Sequence, residues 1–226
     1  MAEVLTNVDV RRVGEAAEKI LNNIGKVIVG KRDVIRLVLV ALLSEGHMFI
    51  EDVPGIGKTM LAKATASSLG AAFKRVQFTP DLLPSDVTGI YYFNQKTSEF
   101  EYRPGPIMAN IVLADEINRA TPRTQSCLLE AMQERQVTVD IKTIPLPRPF
   151  LVIATQNPIE LEGTFPLPEA QLDRFLLKLK LGYPTEDEEE MILQRFQEEN
   201  PLDNLKAVVG AAELLELQKL CRKVHV

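Results

Sequence analysis

The stretch EDVPGIGKT combines two glycines, a lysine and a threonine at a spacing that suits phosphate binding. A phosphate chain needs several N–H donors at once, and a glycine-containing turn that opens a helix supplies them. Gly55 and Gly57 let the backbone approach the phosphates. Lys58 reaches the β- and γ-phosphates, and Thr59 offers a hydroxyl to Mg²⁺. The usual pattern, G-x-x-x-x-G-K-[ST], has a glycine where this chain has Asp52, so an ordinary glycine-rich turn is the alternative.

A second stretch, NIVLADEIN, ends four apolar residues in two carboxylates, Asp115 and Glu116. Carboxylates at the carboxyl ends of parallel strands lie where ligands bind in open α/β sheets. At such a place Asp115 would hold Mg²⁺ through water, and Glu116 would activate the attacking water. The alternative is a strand end that is acidic by chance. The position downstream of the glycine-containing loop favours the chemical interpretation.

Two more polar positions follow apolar segments. Asn157 comes after the strand FLVIATQ, where it would orient a water near the terminal phosphate; an Asn-Pro turn is the alternative. Arg174 lies in LPEAQLDRF, where an arginine can stabilise charge on a phosphoryl transition state. It can equally pair with Asp173 or Glu169 at the surface. The sequence leaves both interpretations of Arg174 open.

Composition restricts the class of protein. The chain has 226 residues, is 46% hydrophobic and carries a net charge of −5, which is typical of a globular domain and disfavours nucleic-acid binding. Cys127 and Cys221 are predicted to be buried free thiols. His47 and His225 form no metal-ligand cluster. No apolar run reaches the roughly 18 residues that span a bilayer, and the N-terminus lacks a signal-peptide pattern, so a cytoplasmic protein is expected.

Short apolar strands alternate with helical patterns along the chain, which predicts an α/β fold with a parallel sheet. Predicted strands are HMFIED, AAFKRVQF, NIVLADE, FLVIATQNP and LDRFLLKLKLGYP, and predicted hairpins are IYYFNQKTSEFEYRPG and VTVDIKTIPLPRP. Among the predicted helices, TPRTQSCLLEAMQERQ has Pro122 in its first turn. Another begins at a Thr185–Glu188 capping box and continues to about Phe196. The stretch PDLLPSDVTG is predicted to be irregular because two prolines interrupt it.

The four motifs, in this order, resemble the AAA+ ATPases. The stretches LADEINRATPRTQSCLLEAMQE and ATQNPIELEGTFPLPEAQLDRF are similar to the MoxR family within that class, and the resemblance covers nearly the whole chain. It implies a P-loop AAA+ core, a parallel five-stranded sheet flanked by helices, with the start of a small α-helical lid. It also identifies the hairpin near residues 90–102 with the helix-2 insert, and that near 136–149 with the pre-sensor-1 hairpin.

The resemblance implies a role for each matching residue. Asp115 and Glu116 match Walker B, Asn157 matches sensor 1, and Arg174 matches the arginine finger, with Arg119 and Arg123 as alternatives. Thr59 and Asp115 would hold Mg²⁺, and Glu116, Asn157 and Arg174 would be catalytic. The expected nucleotide-binding residues are Val29, Gly30, Pro54, Gly55, Ile56, Gly57, Lys58, Thr59 and Met60.

Two departures from the family pattern concern the phosphate loop and the C-terminal part. The Asp52 variant is common in MoxR-like proteins, so EDVPGIGKT is interpreted as a nucleotide site. The expected division is a nucleotide-binding domain over residues 1–183 and the beginning of a helical lid, probably truncated, over 184–226. No sensor 2 arginine is identified. We therefore expect a chain whose turnover depends on how much of the lid is present.

The resemblance implies an ATP hydrolase that works with Mg²⁺ in a homo-oligomeric ring, expected to be a hexamer, and remodels or activates a partner protein. Partners in this family often carry a von Willebrand factor A domain. A DNA motor is one alternative, disfavoured by the acidic balance and by an insert hairpin whose basic residues are only Lys142 and Arg148. A switch that binds ATP but barely hydrolyses it is the other.

Overall fold

A five-stranded parallel sheet forms the centre of the molecule, which confirms the predicted fold class. The computed structural model describes residues 6–140, 142–159, 163–197 and 200–224. Their strands are β1 (Met48–Glu51), β2 (Phe73–Gln77), β3 (Gly89–Asn94), β4 (Glu99–Pro104), β5 (Ile111–Asp115), β6 (Gln136–Val139), β7 (Lys142–Pro145), β8 (Leu151–Gln156) and β9 (Leu177–Leu179). The sheet order is β2-β5-β8-β1-β9. Since β5 and β1 flank β8, the loops after these three strands emerge side by side.

Helices cover both faces of the sheet. They are α1 (Asn7–Ile24), α2 (Arg32–Leu43), α3 (Lys58–Ser68), α4 (Pro84–Thr88), α5 (Pro122–Glu134), α6 (Glu169–Leu172), α7 (Glu186–Phe196) and α8 (Ala211–Cys221), with a 3-10 turn at Ile117–Arg119. The Thr185 side chain accepts the Glu188 N–H at the start of α7, and the Glu188 carboxylate accepts the Thr185 N–H. This confirms the predicted capping box. Pro122 is at the first position of α5, as predicted.

The central strands are buried on both sides because alternate residues pack into two different cores. In β5, Ile111 and Leu113 belong to the core formed with α1, α2, α3 and α8, whereas Val112 and Ala114 belong to the core that contains α5. Strand β8 alternates in the same way. A continuous apolar run such as IVLA is therefore what a doubly covered parallel strand requires.

Both predicted hairpins are present, as β3–β4 and β6–β7. Tyr91 faces Tyr102 and Phe93 faces Phe100 across the first hairpin, with ring centroids 5.4 and 5.3 Å apart. The short helix α4 was not predicted. Pro84 stands at its first position, where a missing N–H is tolerated, so this proline starts a helix rather than interrupting one.

The last two helices differ in how they pack. In α8, Leu214 and Leu217 are fully buried, and Gln218 donates to the Leu42 carbonyl at 2.7 Å. Helix α7, all of which is described, has no buried residue. The division at residue 183 stays a prediction.

Two smaller expectations can be compared with the structure. Cys127 and Cys221 are free, as predicted, but half-buried rather than buried, because each lies on a helix that has one face toward solvent. Among the described residues, no helix combines the length and the apolar character needed to cross a membrane.

Candidate functional site

The glycine loop, residues 52–57, connects β1 to α3 at the carboxyl edge of the sheet. Gly55 and Gly57 have φ values of +85° and +90°, a region that residues with a Cβ rarely adopt. An added Cβ on either glycine would meet no heavy atom within 4 Å, so the backbone here borders open space. The first N–H groups of α3 have no partner inside the helix. The loop is therefore a concave, donor-rich surface of the kind that binds anions.

Lys58 lies across this loop. Its Nζ donates to the carbonyl oxygens of Asp52 at 2.7 Å and Val53 at 3.0 Å. Burial lowers the pKa of Lys58, while the neighbouring carboxylates, Asp115 first among them, act in the opposite direction. A half-buried ammonium group that donates to two carbonyl oxygens can exchange them for a stronger anionic acceptor.

A cavity of about 300 Å³, which we call the polar cavity, opens beside the loop. Its lining is Pro54, Gly55, Gly57, Lys58, Thr59, Met60, Arg75, Asp115 and Glu116. The cavity thus brings the lysine and threonine of EDVPGIGKT together with the two carboxylates that end the LAD strand. It also contains Arg75, which the sequence analysis did not identify.

The Thr155 hydroxyl contacts both residues that carry these carboxylates, Asp115 and Glu116. Thr155 Oγ1 donates to Asp115 Oδ1 at 2.5 Å and accepts the Glu116 N–H at 2.9 Å. Glu116 has φ +55° and ψ 50°, a left-handed conformation that is uncommon for residues other than glycine. The chain thus turns sharply after β5, and the turn separates the directions of the two carboxylates.

Strand β2 supplies the remaining partners of these carboxylates. Arg75 donates to Asp115 Oδ2 from Nε at 3.0 Å and from Nη2 at 2.6 Å. Gln77 donates to Glu116 Oε2 at 2.7 Å, and Arg119 pairs with the same oxygen at 3.2 Å. A signal was present, since Arg75 and Gln77 alternate with period two on a predicted strand. What the sequence lacked was the order of the sheet, which places Gln77 beside Asp115.

The donor set of the polar cavity fits Mg²⁺. Thr59 and Asp115 contribute hydroxyl and carboxylate oxygens, the hard ligands that Mg²⁺ prefers. Across the described residues, no group of three or more histidine, cysteine or acidic side chains is arranged to hold a metal. Mg²⁺ is usually held by one or two protein oxygens, with water and phosphate oxygens completing the octahedron. The residues therefore suit a metal that arrives with a phosphate ligand.

A second cavity, of about 250 Å³, shares Gly55, Gly57 and Met60 with the first; we call it the apolar cavity. The rest of its lining is Val27, Ile28, Val29, Lys31, Ile56, Leu181, Gly182, Pro184, Ile192 and Phe196. A mostly apolar cavity joined to an anion-binding loop suits a flat base attached to phosphates. Val29, Ile56 and Met60 of its apolar side chains were identified from the sequence. Val27 and Ile28, next to Val29, were missed, and the remaining apolar residues come from the distant segment 181–196.

Gly30, predicted to bind nucleotide, stands between Val29 and Lys31, which line the apolar cavity. It is not among the residues that line the apolar cavity, and an added Cβ would collide with the Glu188 carboxylate. Lys31 Nζ, next to it, lies 3.6 Å from Glu188 Oε2 and donates to the Tyr183 carbonyl at 2.9 Å. The glycine thus permits close approach of α7 to the segment that precedes α2.

Asn157 and Arg174 lie outside the lining of the polar cavity. Asn157 follows β8, between the glycine loop and the acidic end of β5, and its Oδ1 accepts the Ile159 N–H at 3.1 Å. Arg174 precedes β9, so it lies at the opposite, amino edge of the sheet, in a small pocket against α5. Within one chain the structure brings Asn157 near the site and keeps Arg174 away from it.

Comparison with known proteins agrees with this geometry. A family model described as "ATPase family associated with various cellular activities (AAA)" matches residues 47–177, more than half of the chain. Chaperone MoxR1 of Mycobacterium tuberculosis is 47% identical over 203 residues, which cover 90% of this chain and 53% of MoxR1. The chain belongs to the MoxR family of AAA+ ATPases.

One further relative and one solved structure match over a similar span. The Bacillus subtilis protein YeaC is 59% identical over 207 residues, covering 92% of this chain and 65% of YeaC. A crystal structure of a Cytophaga hutchinsonii protein assigned as an ATPase superposes with a TM-score of 0.83 at 42% identity, covering 92% of this chain and 64% of that one. This MoxR-family chain therefore spans about half to two thirds of the length of the relatives that it matches.

Proposed function

We propose that this MoxR-family chain binds ATP with Mg²⁺ across the two joined cavities. It then hydrolyses the bond between the terminal phosphate of ATP and the rest of the nucleotide. The observation that carries the proposal is the shared wall of the cavities, formed by Gly55, Gly57 and Met60. On one side of it lies an apolar space for a base. On the other side lie a lysine, a hydroxyl and two carboxylates. A nucleoside triphosphate has its apolar and anionic parts in this order.

The residues that hold the triphosphate are those around the glycine loop. The loop N–H groups and Lys58 bind the β- and γ-phosphates, for which Lys58 gives up the carbonyls of Asp52 and Val53. Thr59 and Asp115 are the ligands for Mg²⁺, which when bound would neutralise charge on the phosphate oxygens. With Mg²⁺ bound, Asp115 would give up its Oδ2 contacts with Arg75.

Glu116 has the position of the base that polarises the attacking water. Gln77 and Arg119 hold its carboxylate. These contacts fix the direction of the carboxylate, and a base must lie within reach of the water whose proton it accepts. Asn157, one residue beyond β8, is placed to orient the same water.

Arg174 acts on the nucleotide of a neighbouring copy. It lies at the edge of the sheet opposite the glycine loop, so its guanidinium reaches a phosphate only across an interface between subunits. Such an interface joins two different surfaces of the same chain, and its repetition gives a closed ring when the rotation between neighbours closes. We propose a homo-oligomeric ring, hexameric in this family, with one site at each interface.

The work of the ring is to remodel or activate a partner protein. The name of MoxR1 as a chaperone supports this proposal. A partner with a von Willebrand factor A domain and the division into residues 1–183 and 184–226 are parts of the same proposal. Helix α7, which walls the apolar cavity, would begin the lid.

The test is steady-state ATP turnover as a function of protein concentration, with Mg²⁺, for the wild type, Glu116→Gln and Arg174→Ala. Lys219→Ala is the control, since this lysine of α8 is exposed and lines neither cavity. We expect turnover per chain to rise with concentration and both substitutions to abolish it, with ATP binding retained in Glu116→Gln. Arg119→Ala and Arg123→Ala test the two other arginines.

Three outcomes separate the parts of the proposal. Turnover that is independent of concentration and unchanged in Arg174→Ala would rule out a shared site. ATP binding without turnover at any concentration would make this chain a nucleotide-binding switch. Failure to bind ATP at all would overturn the assignment of both cavities.

A further inference from the structure

Asp52 stands where the phosphate-loop pattern has glycine, and its side chain is almost fully buried, with 8% of the residue exposed. Its Oδ2 accepts the N–H groups of Leu181 and Gly182, both at 2.8 Å, and its Oδ1 accepts the Val53 N–H at 2.9 Å. A carboxylate that accepts three backbone N–H groups is a strong and directional anchor. Two of the three donors come from a segment about 130 residues further along the chain.

The backbone of Asp52 makes two further connections. Its N–H donates to the Gln156 carbonyl at the end of β8, at 3.0 Å. Its carbonyl accepts Lys58 Nζ at 2.7 Å. A single residue therefore joins the glycine loop, the strand that precedes Asn157, and the segment that leads to α7.

That segment, residues 180–184, we call the linker. Leu181, Gly182 and Pro184 line the apolar cavity, and α7 continues the same wall with Ile192 and Phe196. The position of this wall relative to the glycine loop is thus fixed through the Asp52 carboxylate. A glycine at position 52 would leave the two linker N–H groups without their acceptor, which is costly for buried donors.

We propose that Asp52 is a positioning residue that couples occupation of the glycine loop by phosphate to the order of the linker. This inference rests on the proposed nucleotide function. When Lys58 turns to a phosphate, it leaves the Asp52 carbonyl, so ligand binding changes the contacts of the residue that holds the linker. A bound phosphate also orders the loop that carries Asp52. The linker N–H groups then open less often, because their acceptor is more firmly held.

The experiment is amide hydrogen exchange, read by mass spectrometry, in peptides that cover the glycine loop and the linker. The probe is magnesium pyrophosphate at millimolar concentration, because it lacks a base and cannot contact the linker through the apolar cavity. We compare the wild type, Asp52→Asn and Asp52→Gly. Glu51→Gln is the matched control, since this adjacent carboxylate pairs with the exposed Lys178 side chain at 3.1 Å and not with the linker.

In the wild type and in Glu51→Gln, we expect pyrophosphate to slow exchange in both the loop and the linker. In Asp52→Gly, the linker amides should exchange at least about tenfold faster without any ligand, because the Leu181 and Gly182 N–H groups lose their acceptor. Pyrophosphate should then slow exchange in the loop but not in the linker. Asp52→Asn keeps one acceptor oxygen and should be intermediate. It also keeps the test decisive if Asp52→Gly does not fold.

Two results would overturn the inference. One is a linker in Asp52→Asn and Asp52→Gly that responds to pyrophosphate as the wild type does. The other is a wild-type linker that does not respond although the loop does. If neither pyrophosphate nor ATP slows the loop in the wild type, the proposed function fails instead. The ligand-free comparison then still tests whether Asp52 holds the linker.

Discussion

Thr155 Oγ1 lies 2.5 Å from Asp115 Oδ1, and the same hydroxyl accepts the Glu116 N–H at 2.9 Å. The end of β8 therefore holds the Asp115 carboxylate, at the end of β5, and the backbone of Glu116, which follows it. Thr155 and Asp115 are both buried, so neither polar group can turn to solvent instead. A residue that touches no proposed ligand thus defines the geometry of the residues that do.

Replacing Thr155 by valine keeps the shape of the side chain and removes the hydroxyl. We expect a loss of about 1–3 kcal/mol in the free energy of unfolding, because a carboxylate oxygen and an N–H lose their partner. ATP turnover should fall by at least about tenfold, since Glu116 loses its fixed direction. Urea denaturation and turnover measure the two effects. Thr155→Ser should restore both, and a fully active Thr155→Val would contradict this role of the hydroxyl.

Arg75 and Asp115 should be energetically coupled. Arg75 gives two N–H groups to one oxygen of a carboxylate whose side chain is only 12% exposed. A double-mutant cycle with Arg75→Gln and Asp115→Asn should give a coupling of about 0.5–2 kcal/mol in the free energy of unfolding. This is less than for a fully buried ion pair, because the Arg75 side chain is half exposed. Lys74→Gln on the same strand is the control. Additive effects of the two substitutions would show that the ion pair contributes nothing to the free energy of unfolding.

His47 should make stability depend on pH. Its Nδ1 accepts the Val152 N–H at 3.0 Å and its Nε2 faces the Met132 carbonyl at 3.1 Å, an arrangement that requires the neutral ring. Burial, with a smaller effect of Arg135, lowers the pKa of His47 to about 4. The unfolded chain binds this proton with a pKa of 6.5. Stability from the neutral ring is therefore complete above that value and is lost as the pH falls toward about 4.

Urea denaturation at about pH 7.5 and about pH 5 measures this effect, which should amount to about 2 kcal/mol. Buried and paired carboxylates also respond to acid, so the informative quantity is the difference between the wild type and His47→Gln. We expect the variant to be less stable at the higher pH but to lose less on acidification. An equal loss in both proteins would show that His47 does not titrate in this range.

Phe196 should contribute to the binding of the base and not to the binding of phosphate. It lies on the α7 side of the apolar cavity. Phe196→Ala should weaken ADP binding by about fivefold, equivalent to about 1 kcal/mol of lost apolar contact, and leave pyrophosphate binding unchanged. Leu193→Ala is the control, because Leu193 is 63% exposed and outside the cavity. Equal loss for both ligands would indicate a general disturbance of the loop instead.

Local patterns were enough to predict most of the elements. The continuous apolar run of β5, the capping box at Thr185 and the first-turn Pro122 each depend on neighbours within a few residues. The same local logic fails for α4, because Pro84 of PDLLPSDVTG begins a helix and does not interrupt one. The Asp86 carboxylate accepts the Leu83 N–H at 2.9 Å and so caps the helix that Pro84 begins.

The parts of the site that the sequence could not give are those that depend on distant pairing. EDVPGIGKT and LADE predicted the lysine, the threonine and the two carboxylates that share the polar cavity. Arg75 and Gln77 became partners of these carboxylates only through the adjacency of β2 and β5. Asp52 departs from the phosphate-loop pattern, and its carboxylate accepts two N–H groups of the linker. A motif describes one segment, whereas these contacts join two.

Helix α7 has a consequence for how fast a nucleotide leaves. It walls the apolar cavity but buries none of its residues. Its attachment to the segment before α2 is polar, through Arg195 to the carbonyls of Gly25 and Lys26 and through Lys31 to Glu188. An element held mainly by polar contacts outside the core opens at a smaller cost than the core around it. The residence time of a bound nucleotide should therefore shorten with rising ionic strength, and do so without any unfolding of the sheet.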